Sequence, residues 1–243
     1  MKKLKVSWFS AGVSSFIATY LVKDSVDKII YIDIPNQHKD SMRFVKDCEK
    51  VLGKTIEIIS SGKSVEEAIL QYGLIRLVKG FAPCTKLLKK EVRKNWEKEY
   101  GNNNDITYVW GLDCNEKNRK FGIIDATPEY KHEFPLIEND LTKQDCHAMC
   151  ERLGIKRPQM YDLGYNNNNC IGCVKGGMGY WNKIRIDFPE VFENMKNLER
   201  KLGHSCINGV FLDELDPKRG NIQNEVMQDC SIMCEIALRS NDN

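Results

Sequence analysis

The 243-residue sequence predicts an α/β fold, with a doubly wound, Rossmann-like parallel sheet and a cysteine-bearing, mostly helical C-terminal extension. Three observations support this fold class. Strand-like and helix-like segments alternate through residues 4–59, which is typical of parallel strands joined by crossover helices. The second strand is apolar until its carboxyl end, as in strands covered on both faces. The hydrophobic content of 42% and the charged content of 29% are typical of a packed globular protein.

A loop of small residues lies between the first strand and the first helix. Apolar and aromatic side chains at residues 4–9 predict a buried strand, and the inner face of the helix that follows is predicted to carry Phe16, Ile17, Tyr20 and Leu21. The loop itself contains Ser10, Ala11, Gly12, Val13, Ser14 and Ser15. Small residues let an anion approach the backbone, and N–H and hydroxyl groups at a helix start suit phosphate oxygens. An ordinary turn with Ser14 as the N-cap would have the same composition, so both interpretations stay open.

Two further strands follow, with one helix between them. Ile29–Asp33 predicts a strand that ends in a carboxylate, residues 40–52 predict a helix, and residues 55–59 predict a third strand. Asp33 therefore lies at the carboxyl end of a parallel strand, where open α/β sheets bind their ligands.

A long helix is expected over residues 82–100. Cys84 then lies in its first turn, beside Lys86 and Lys89. The positive end of the helix and the two ammonium groups would favour a thiolate, which can bind a metal ion or attack an electrophile. A small, buried cysteine is the alternative.

A fourth strand at residues 106–111 leads into a polar loop. The loop carries Gly111, Glu116 and Arg119, so a glycine, a carboxylate and an arginine again follow a strand end. A solvated loop would also be polar, and these residues taken singly are weak evidence for a binding site.

The character of the chain changes at Pro158, so we divide it into a first domain at residues 1–157 and an extension at residues 158–243. An amphipathic helix is expected at residues 189–202. A last helix carries Cys230 and Cys234 on its apolar face, where burial and metal ligation are both open.

The extension contains a Cys-x-x-Cys pair, Cys170 and Cys173, in a glycine-rich stretch without helical or strand period. Two thiolates at this spacing can converge on one metal ion or iron–sulfur cluster. Redox pairs of the thioredoxin type share the spacing. Because this pair follows an asparagine-rich turn instead of a strand that leads into a helix, we favour a metal or a cluster.

Charge, hydrophobic pattern and cysteine content indicate the compartment and the kinds of partner to expect. The net charge of +2 argues neither for nor against nucleic acid. Serine and glycine interrupt the apolar N-terminal run, and no stretch approaches membrane-spanning length, so we expect a cytoplasmic protein with no membrane partner. In that compartment thiols stay reduced, and ten cysteines suggest metal binding, catalysis or burial.

Taken together, these segments resemble the phosphoadenosine phosphosulfate (PAPS) reductase family of the PP-loop adenine nucleotide α-hydrolase-like superfamily, over about residues 4–200. The segments that carry the resemblance are the Ser10–Ser15 loop, Asp33 with residues 36–41, Pro83-Cys84-Thr85, Gly111 with Glu116 and Arg119, Phe134-Pro135-Leu136 and Asn169-Cys170-Ile171-Gly172-Cys173.

The resemblance implies a PP-loop domain of the adenine nucleotide α-hydrolase type that binds ATP, PAPS or APS. The nucleotide-binding residues that it implies are Ser10, Ala11, Gly12, Ser14, Ser15, Asp33, Gly111 and Glu116, and the catalytic residues are Cys84, Lys86 and Arg119. A 4Fe-4S cluster, or zinc in its place, would be held by Cys84, Cys170 and Cys173, with Cys230 or Cys234 as the fourth ligand. Magnesium is a further cofactor of such domains.

The sequence departs from the family pattern at several positions. Ala11 replaces a loop glycine, and Ser14 replaces the aspartate that helps to hold magnesium and pyrophosphate. Asp113 stands where sulfonucleotide reductases have an arginine, and Pro83 replaces a cysteine. The reductases' catalytic tail, Glu-Cys-Gly-Leu-His, is also absent.

Three functions are consistent with the sequence. The first is an enzyme that binds an adenine nucleotide and performs sulfur transfer or nucleotide activation on an acceptor that the sequence does not identify. The second is a nucleic-acid modification enzyme of the same fold, because one helix carries a basic run of Lys86, Lys89, Lys90, Arg93, Lys94 and Lys98. Interleaved glutamates also fit a solvated helix face. The third is a non-catalytic, metal-stabilised nucleotide-binding module.

Overall fold

Five parallel strands form the sheet at the centre of the protein. The computed structural model describes residues 2–77, 81–100 and 104–225. The strands are β1 (Lys2–Phe9), β2 (Lys28–Ile32), β3 (Ile56–Ile59), β4 (Asn104–Val109) and β5 (Lys131–Glu133). Their order in the sheet is β3-β2-β1-β4-β5, and every neighbouring pair is parallel. The predicted α/β fold with a doubly wound parallel sheet is confirmed.

Helices connect the strands and form the C-terminal region. They are α1 (Val13–Leu21), α2 (Asp40–Leu52), α3 (Val65–Tyr72), α4 (Pro83–Thr85), α5 (Glu91–Tyr100), α6 (Lys117–Ala126), α7 (Pro135–Glu138), α8 (Lys143–Arg152), α9 (Gln159–Asp162), α10 (Met178–Asp187) and α11 (Pro189–Leu202). Short 3₁₀ turns occupy Cys114–Glu116 and Ile222–Asn224. Within the described residues, no helix is both long and apolar enough to cross a membrane.

Each face of the sheet has its own hydrophobic core. Side chains alternate along β1, so that Leu4, Val6 and Trp8 join one cluster while Phe9 joins the other. Helices α1, α2 and α8 supply the cluster around Phe9, and α3, α5, α10 and α11 supply the opposite cluster. Coverage on both faces explains why β2 is apolar along most of its length.

The helix expected over residues 82–100 is present but has an irregular centre. Between α4 and α5 lies a π-helical segment, Lys86–Lys90, in which each hydrogen bond spans one residue more than in an α-helix. The wider turn changes which side chains face inward. Lys89 is only 8% exposed, whereas Lys86 is exposed.

Several elements differ from the sequence-based expectation for physical reasons. Strand β5 has only three residues and no apolar side chain, so no hydrophobic pattern in the sequence predicts it. Helix α6 leaves Phe121 59% exposed and therefore lacks a clean apolar stripe. Helix α10 buries both apolar and polar residues, including Trp181 and Asn182, which hides its period. Leu21, expected on the inner face of α1, is 37% exposed.

The described part of the C-terminal extension, residues 158–225, contributes side chains to both hydrophobic cores. Tyr161 joins the core cluster around Phe9, and Trp181 joins the opposite one. The segment after α11 is fastened by Glu199, whose buried carboxylate accepts hydrogen bonds of 2.6 Å from the N–H groups of Cys206 and Leu212. Burial raises the pKa of Glu199. The division at residue 158 stays a prediction, and the expected last helix lies outside the described residues.

Candidate functional site

The loop between β1 and α1 is narrow and strained. Ala11 has a φ of 56°, in the left-handed region that non-glycine residues rarely adopt. Gly12 is extended and is the N-cap of α1, and no side chain caps the helix. Ser14 is therefore not the N-cap. Because the first N–H groups of a helix have no partner within it, the start of α1 suits an anion.

The three serines of the loop have different roles. The Ser15 hydroxyl accepts hydrogen bonds from the N–H and the hydroxyl of Ser10 (3.1 and 3.0 Å) and donates to the Gly12 carbonyl (2.9 Å). Ser15 thus holds the loop in shape. The Ser14 hydroxyl is buried beside the Cys146 thiol of α8, beneath the loop. Burial raises the pKa of Cys146 to about 12, so this thiol stays protonated.

Gly111 contributes by letting two backbones approach closely. It follows β4, and a Cβ atom at this position would lie 2.6 Å from the Ser15 Cα and 2.8 Å from the Ser15 nitrogen. The segment after β4 therefore packs directly against the first turn of α1. The structure places Gly111 under the loop as part of its support.

A small cavity opens beside this loop, at the carboxyl end of β1. Its lining consists of Ser10, Gly12, Gln37, Lys89, Asn168, Asn169 and Cys170. Lys89 comes from the π-helical segment and is almost fully buried. An ammonium group in such surroundings attracts an anion more strongly than it would in water. The cavity therefore combines a helix start, a buried cation and a thiol.

The asparagine-rich segment before the cysteine pair closes one side of the cavity. Asn168 is 5% exposed, and its side-chain amide donates hydrogen bonds to the Ala11 carbonyl (2.8 Å) and the Ser41 hydroxyl (3.0 Å). Asn168 is not among the site residues predicted from the sequence, because its segment has the composition of a turn. Its signal was the run of four asparagines directly before Cys170, which is unusual in a globular chain.

The loop after β2 fixes the position of the cysteine pair. The Asn36 carbonyl accepts a hydrogen bond of 2.8 Å from the N–H of Ile171, and the Asn36 side chain bonds to Glu66 and to the N–H of Val65 at the start of α3. Asp33 is half-buried at the end of β2, as predicted. The residue of this loop that lines the cavity is Gln37.

The lining of this cavity does not include Lys86, Glu116 or Arg119. Arg119 is buried and forms an ion pair with Glu116, which also accepts a hydrogen bond of 3.3 Å from the N–H of Asp113. The pair closes the turn before α6. Lys86 is on the outer side of the π-helical segment, and its ammonium lies 5.2 Å above the ring of Tyr72 in α3.

The basic run on this helix does not form one continuous exposed face. Lys89 and Arg93 are both buried, and Arg93 forms an ion pair of 3.0 Å with Glu97. Glu97 in turn accepts a hydrogen bond of 2.6 Å from the Tyr108 hydroxyl. Two of the basic side chains in the run predicted to contact nucleic acid, Lys89 and Arg93, are therefore buried inside the protein.

Cys170 and Cys173 are held in a tight turn by Tyr180. The buried Tyr180 hydroxyl accepts a hydrogen bond of 2.9 Å from the Cys173 N–H and donates one of 3.1 Å to the Cys170 carbonyl. Burial raises the pKa of Tyr180, so the phenol stays protonated and can donate. Cys170 faces the cavity lining, while Cys84 is half-buried and packs against the same core.

The predicted metal site is not assembled by the described residues. Among residues 2–77, 81–100 and 104–225, no three cysteine, histidine or acidic side chains converge as a metal would require. Cys230 and Cys234 lie outside the described residues. The described donor set is therefore incomplete for a four-coordinate zinc or a 4Fe-4S cluster, and we derive no step through either.

The model of the phosphoadenosine phosphosulfate reductase domain matches residues 5–178, which include the β1–α1 loop, Lys89 and the cysteine pair. The chain belongs to the PAPS reductase family. The resemblance stated from the sequence is confirmed.

Proteins similar to this member of the PAPS reductase family include the following two. The uncharacterised protein MJ0066 of Methanocaldococcus jannaschii is 24% identical over 213 residues, which cover 83% of this chain and 42% of that protein. The chain thus spans less than half the length of this relative. The crystal structure of the PAPS reductase of Candida auris, a phosphate complex, is 16% identical with a TM-score of 0.48, covering 66% of this chain and 78% of that one.

Proposed function

We propose that the protein is an enzyme that binds an adenine nucleotide, either ATP or a sulfonucleotide such as PAPS or APS, and acts at its phosphate end. The observation that carries this proposal is the cavity beside the β1–α1 loop, where Ser10, Gly12, Lys89 and Cys170 share one lining. Membership of the PAPS reductase family supports the nucleotide as the ligand.

The residues of the cavity suit recognition of an anionic group. The N–H groups at the start of α1 and the Ser10 hydroxyl can donate to phosphate oxygens, and the Lys89 ammonium can neutralise their charge. Of the residues predicted to neutralise the phosphate charge, Lys86, Lys89 and Arg119, we propose Lys89 because it lines the cavity. Groups fixed before the ligand arrives stabilise developing charge without having to reorganise during the reaction.

Cys170 is the thiol best placed to take part in group transfer. With a sulfonucleotide, its thiolate would attack the sulfonate sulfur, a sulfur–sulfur bond would form, and the sulfur–oxygen bond to the nucleotide would break. The nucleotide would leave with the bonding electron pair, stabilised by Lys89. With ATP, a nucleophile on the acceptor substrate would attack the α-phosphate and pyrophosphate would leave.

The remaining expectations belong to the same proposal. Asp33, Gly111, Ser14 and Ser15 would shape or border the nucleotide site, and Cys84 stays a candidate thiol next to the core that carries the cysteine pair. A cluster or zinc ion on Cys84, Cys170 and Cys173 is tested by iron and zinc analysis and by the visible spectrum of anaerobically purified protein.

The test compares two lysines three residues apart on one helix. Lys89→Met keeps the length of a buried side chain but removes its charge, and Lys86→Met removes a charge from the outer side. Calorimetric titration with ATP and with PAPS should show binding weakened by about tenfold or more for Lys89→Met, and nearly unchanged for Lys86→Met, because charged hydrogen bonds contribute about 1.5–3 kcal/mol. Assays for pyrophosphate, and for sulfite released from the Cys170 thiosulfonate by an added thiol that is oxidised to a disulfide, then identify the reaction. Equal affinities for the two variants, or no binding by the unaltered protein, would contradict the proposal.

A further inference from the structure

Tyr161 of helix α9 occupies the start of helix α1. The N–H of Val13, in the first turn of α1, donates a hydrogen bond of 3.4 Å to the Tyr161 hydroxyl. A Cβ atom added to Gly12 would lie 3.3 Å from the same oxygen. Tyr161 is 8% exposed, and its ring packs edge-on against His147 at 4.7 Å between centroids. The phenol is therefore firmly placed where α1 would otherwise meet an anion.

The surroundings of Tyr161 are those of a ligand site. The neighbouring cavity contains the buried Lys89. It is also lined by Asn168, whose side-chain oxygen is buried and has no hydrogen-bond donor within the described part of the chain. A buried acceptor without a donor is costly, and a ligand hydroxyl could satisfy it. The helix start is thus one part of a site in which a buried polar group, the Asn168 side-chain oxygen, lacks a donor among the described residues.

Resting on the proposed function, we propose that Tyr161 is a displaceable occupant of the phosphate-binding position and lowers the affinity of the site for nucleotides. A nucleotide must move the phenol away from Val13 before its phosphate can accept the same N–H. The phosphate can displace the phenol from the Val13 N–H, because a charge-assisted hydrogen bond is roughly twice as strong as a neutral one. The hydrogen bond from the Val13 N–H to the Tyr161 hydroxyl, 3.4 Å, is also longer than is usual for such bonds.

The cost of displacing the phenol is common to every ligand whose phosphate accepts the Val13 N–H, so Tyr161 lowers all these affinities by about the same factor. A di- or triphosphate offsets that cost through further bonds to Ser10 and Lys89, which inorganic phosphate has fewer oxygens to make. The opposite role, in which the phenol donates to the bound phosphate, makes the opposite prediction for its removal.

Tyr161→Phe separates these roles, because it removes the hydroxyl while it keeps the ring against His147. We expect the variant to bind ATP and pyrophosphate about 2- to 10-fold more tightly, the range that one hydrogen bond supplies, with a faster association rate in stopped-flow measurements. The matched control is Tyr20→Phe near the other end of α1, which should bind as the unaltered protein does. Thermal unfolding checks that both variants are folded.

Each outcome decides between the two levels of proposal. Tighter and faster binding by Tyr161→Phe alone supports displacement. Unchanged or weaker binding by this variant overturns the inference but leaves the nucleotide site in place if Lys89→Met still weakens binding. Absence of binding in the unaltered protein and in Tyr161→Phe overturns both the proposed function and the inference that rests on it.

Discussion

The side-chain amide of Asn168 donates a 2.8 Å hydrogen bond to the carbonyl of Ala11, and this bond joins the C-terminal extension to the loop after the first strand. Ala11 is in a left-handed conformation that costs free energy in a non-glycine residue. Its carbonyl is also buried, so it requires a donor from elsewhere. Asn168 supplies that donor, and the shape of the loop therefore depends on a residue 157 positions later in the chain.

Asn168→Asp should destabilise the loop with little change in side-chain size. The carboxylate cannot donate to Ala11 or Ser41, and it would face the Ala11 carbonyl oxygen instead. We expect the free energy of unfolding to fall by about 1–3 kcal/mol, because a buried carbonyl loses its partner. Denaturant titration measures this loss, and nucleotide titration should show weaker binding.

The matched control for this variant is Asn166→Asp. Asn166 is exposed and makes only a long hydrogen bond, 3.3 Å, to the Ile222 carbonyl among the bonds described for its side chain. We expect its substitution to change the free energy of unfolding by less than about 0.5 kcal/mol. A similar loss of stability in both variants would show that the amide of Asn168 has no special role.

Gly111→Ala should displace the first turn of α1. The new methyl group would overlap the Ser15 backbone, which, unlike a flexible side chain, cannot rotate away. We expect the free energy of unfolding to decrease by about 1–3 kcal/mol, the usual cost of overpacking, and the nucleotide to bind less tightly. A crystal structure of the variant with an unmoved α1, together with unchanged stability, would refute the close approach.

The sheet could be predicted from sequence because its signals are local. The apolar run of β2 and the capping residues of the helices act over a few neighbouring positions, and the bounds of α2 and α11 agree with the expected residues 40–52 and 189–202. Elements without a local signal were missed. Strand β5 depends on pairing with β4 rather than on its own side chains.

The site was harder to predict because its residues meet only in three dimensions. Ser10 and Gly12, which line the cavity, were predicted from the loop itself, but the presence of Lys89 in the lining instead of Lys86 depends on the π-helical segment, which no spacing rule reveals. Asn168 and Tyr161 reach the loop through the packing of the extension on the sheet. The cavity lining follows from these tertiary contacts.

His132 of β5 is held in its neutral form inside the protein. Its Nδ1 accepts a hydrogen bond of 3.0 Å from the Trp110 indole, so the proton lies on Nε2, which donates to the Thr127 carbonyl at 3.0 Å. Burial lowers the pKa of His132 below its ordinary value of 6.5, although Thr127 and Glu129 oppose this effect. Protonation would place a second proton on Nδ1, against the Trp110 donor.

The stability of the protein should therefore decrease as the pH falls below about 6.5, since the unfolded chain then binds protons that the folded protein excludes. Denaturant unfolding at pH 7.5 and 5.5 measures the loss. His132→Gln can still accept a hydrogen bond from Trp110 but does not titrate, so this variant should lose less stability between pH 7.5 and 5.5. Part of the loss of stability should remain, because burial also lowers the pKa of His38. The exposed His204→Gln control should lose as much stability as the unaltered protein. An equal loss in His132→Gln would assign the pH dependence to other groups.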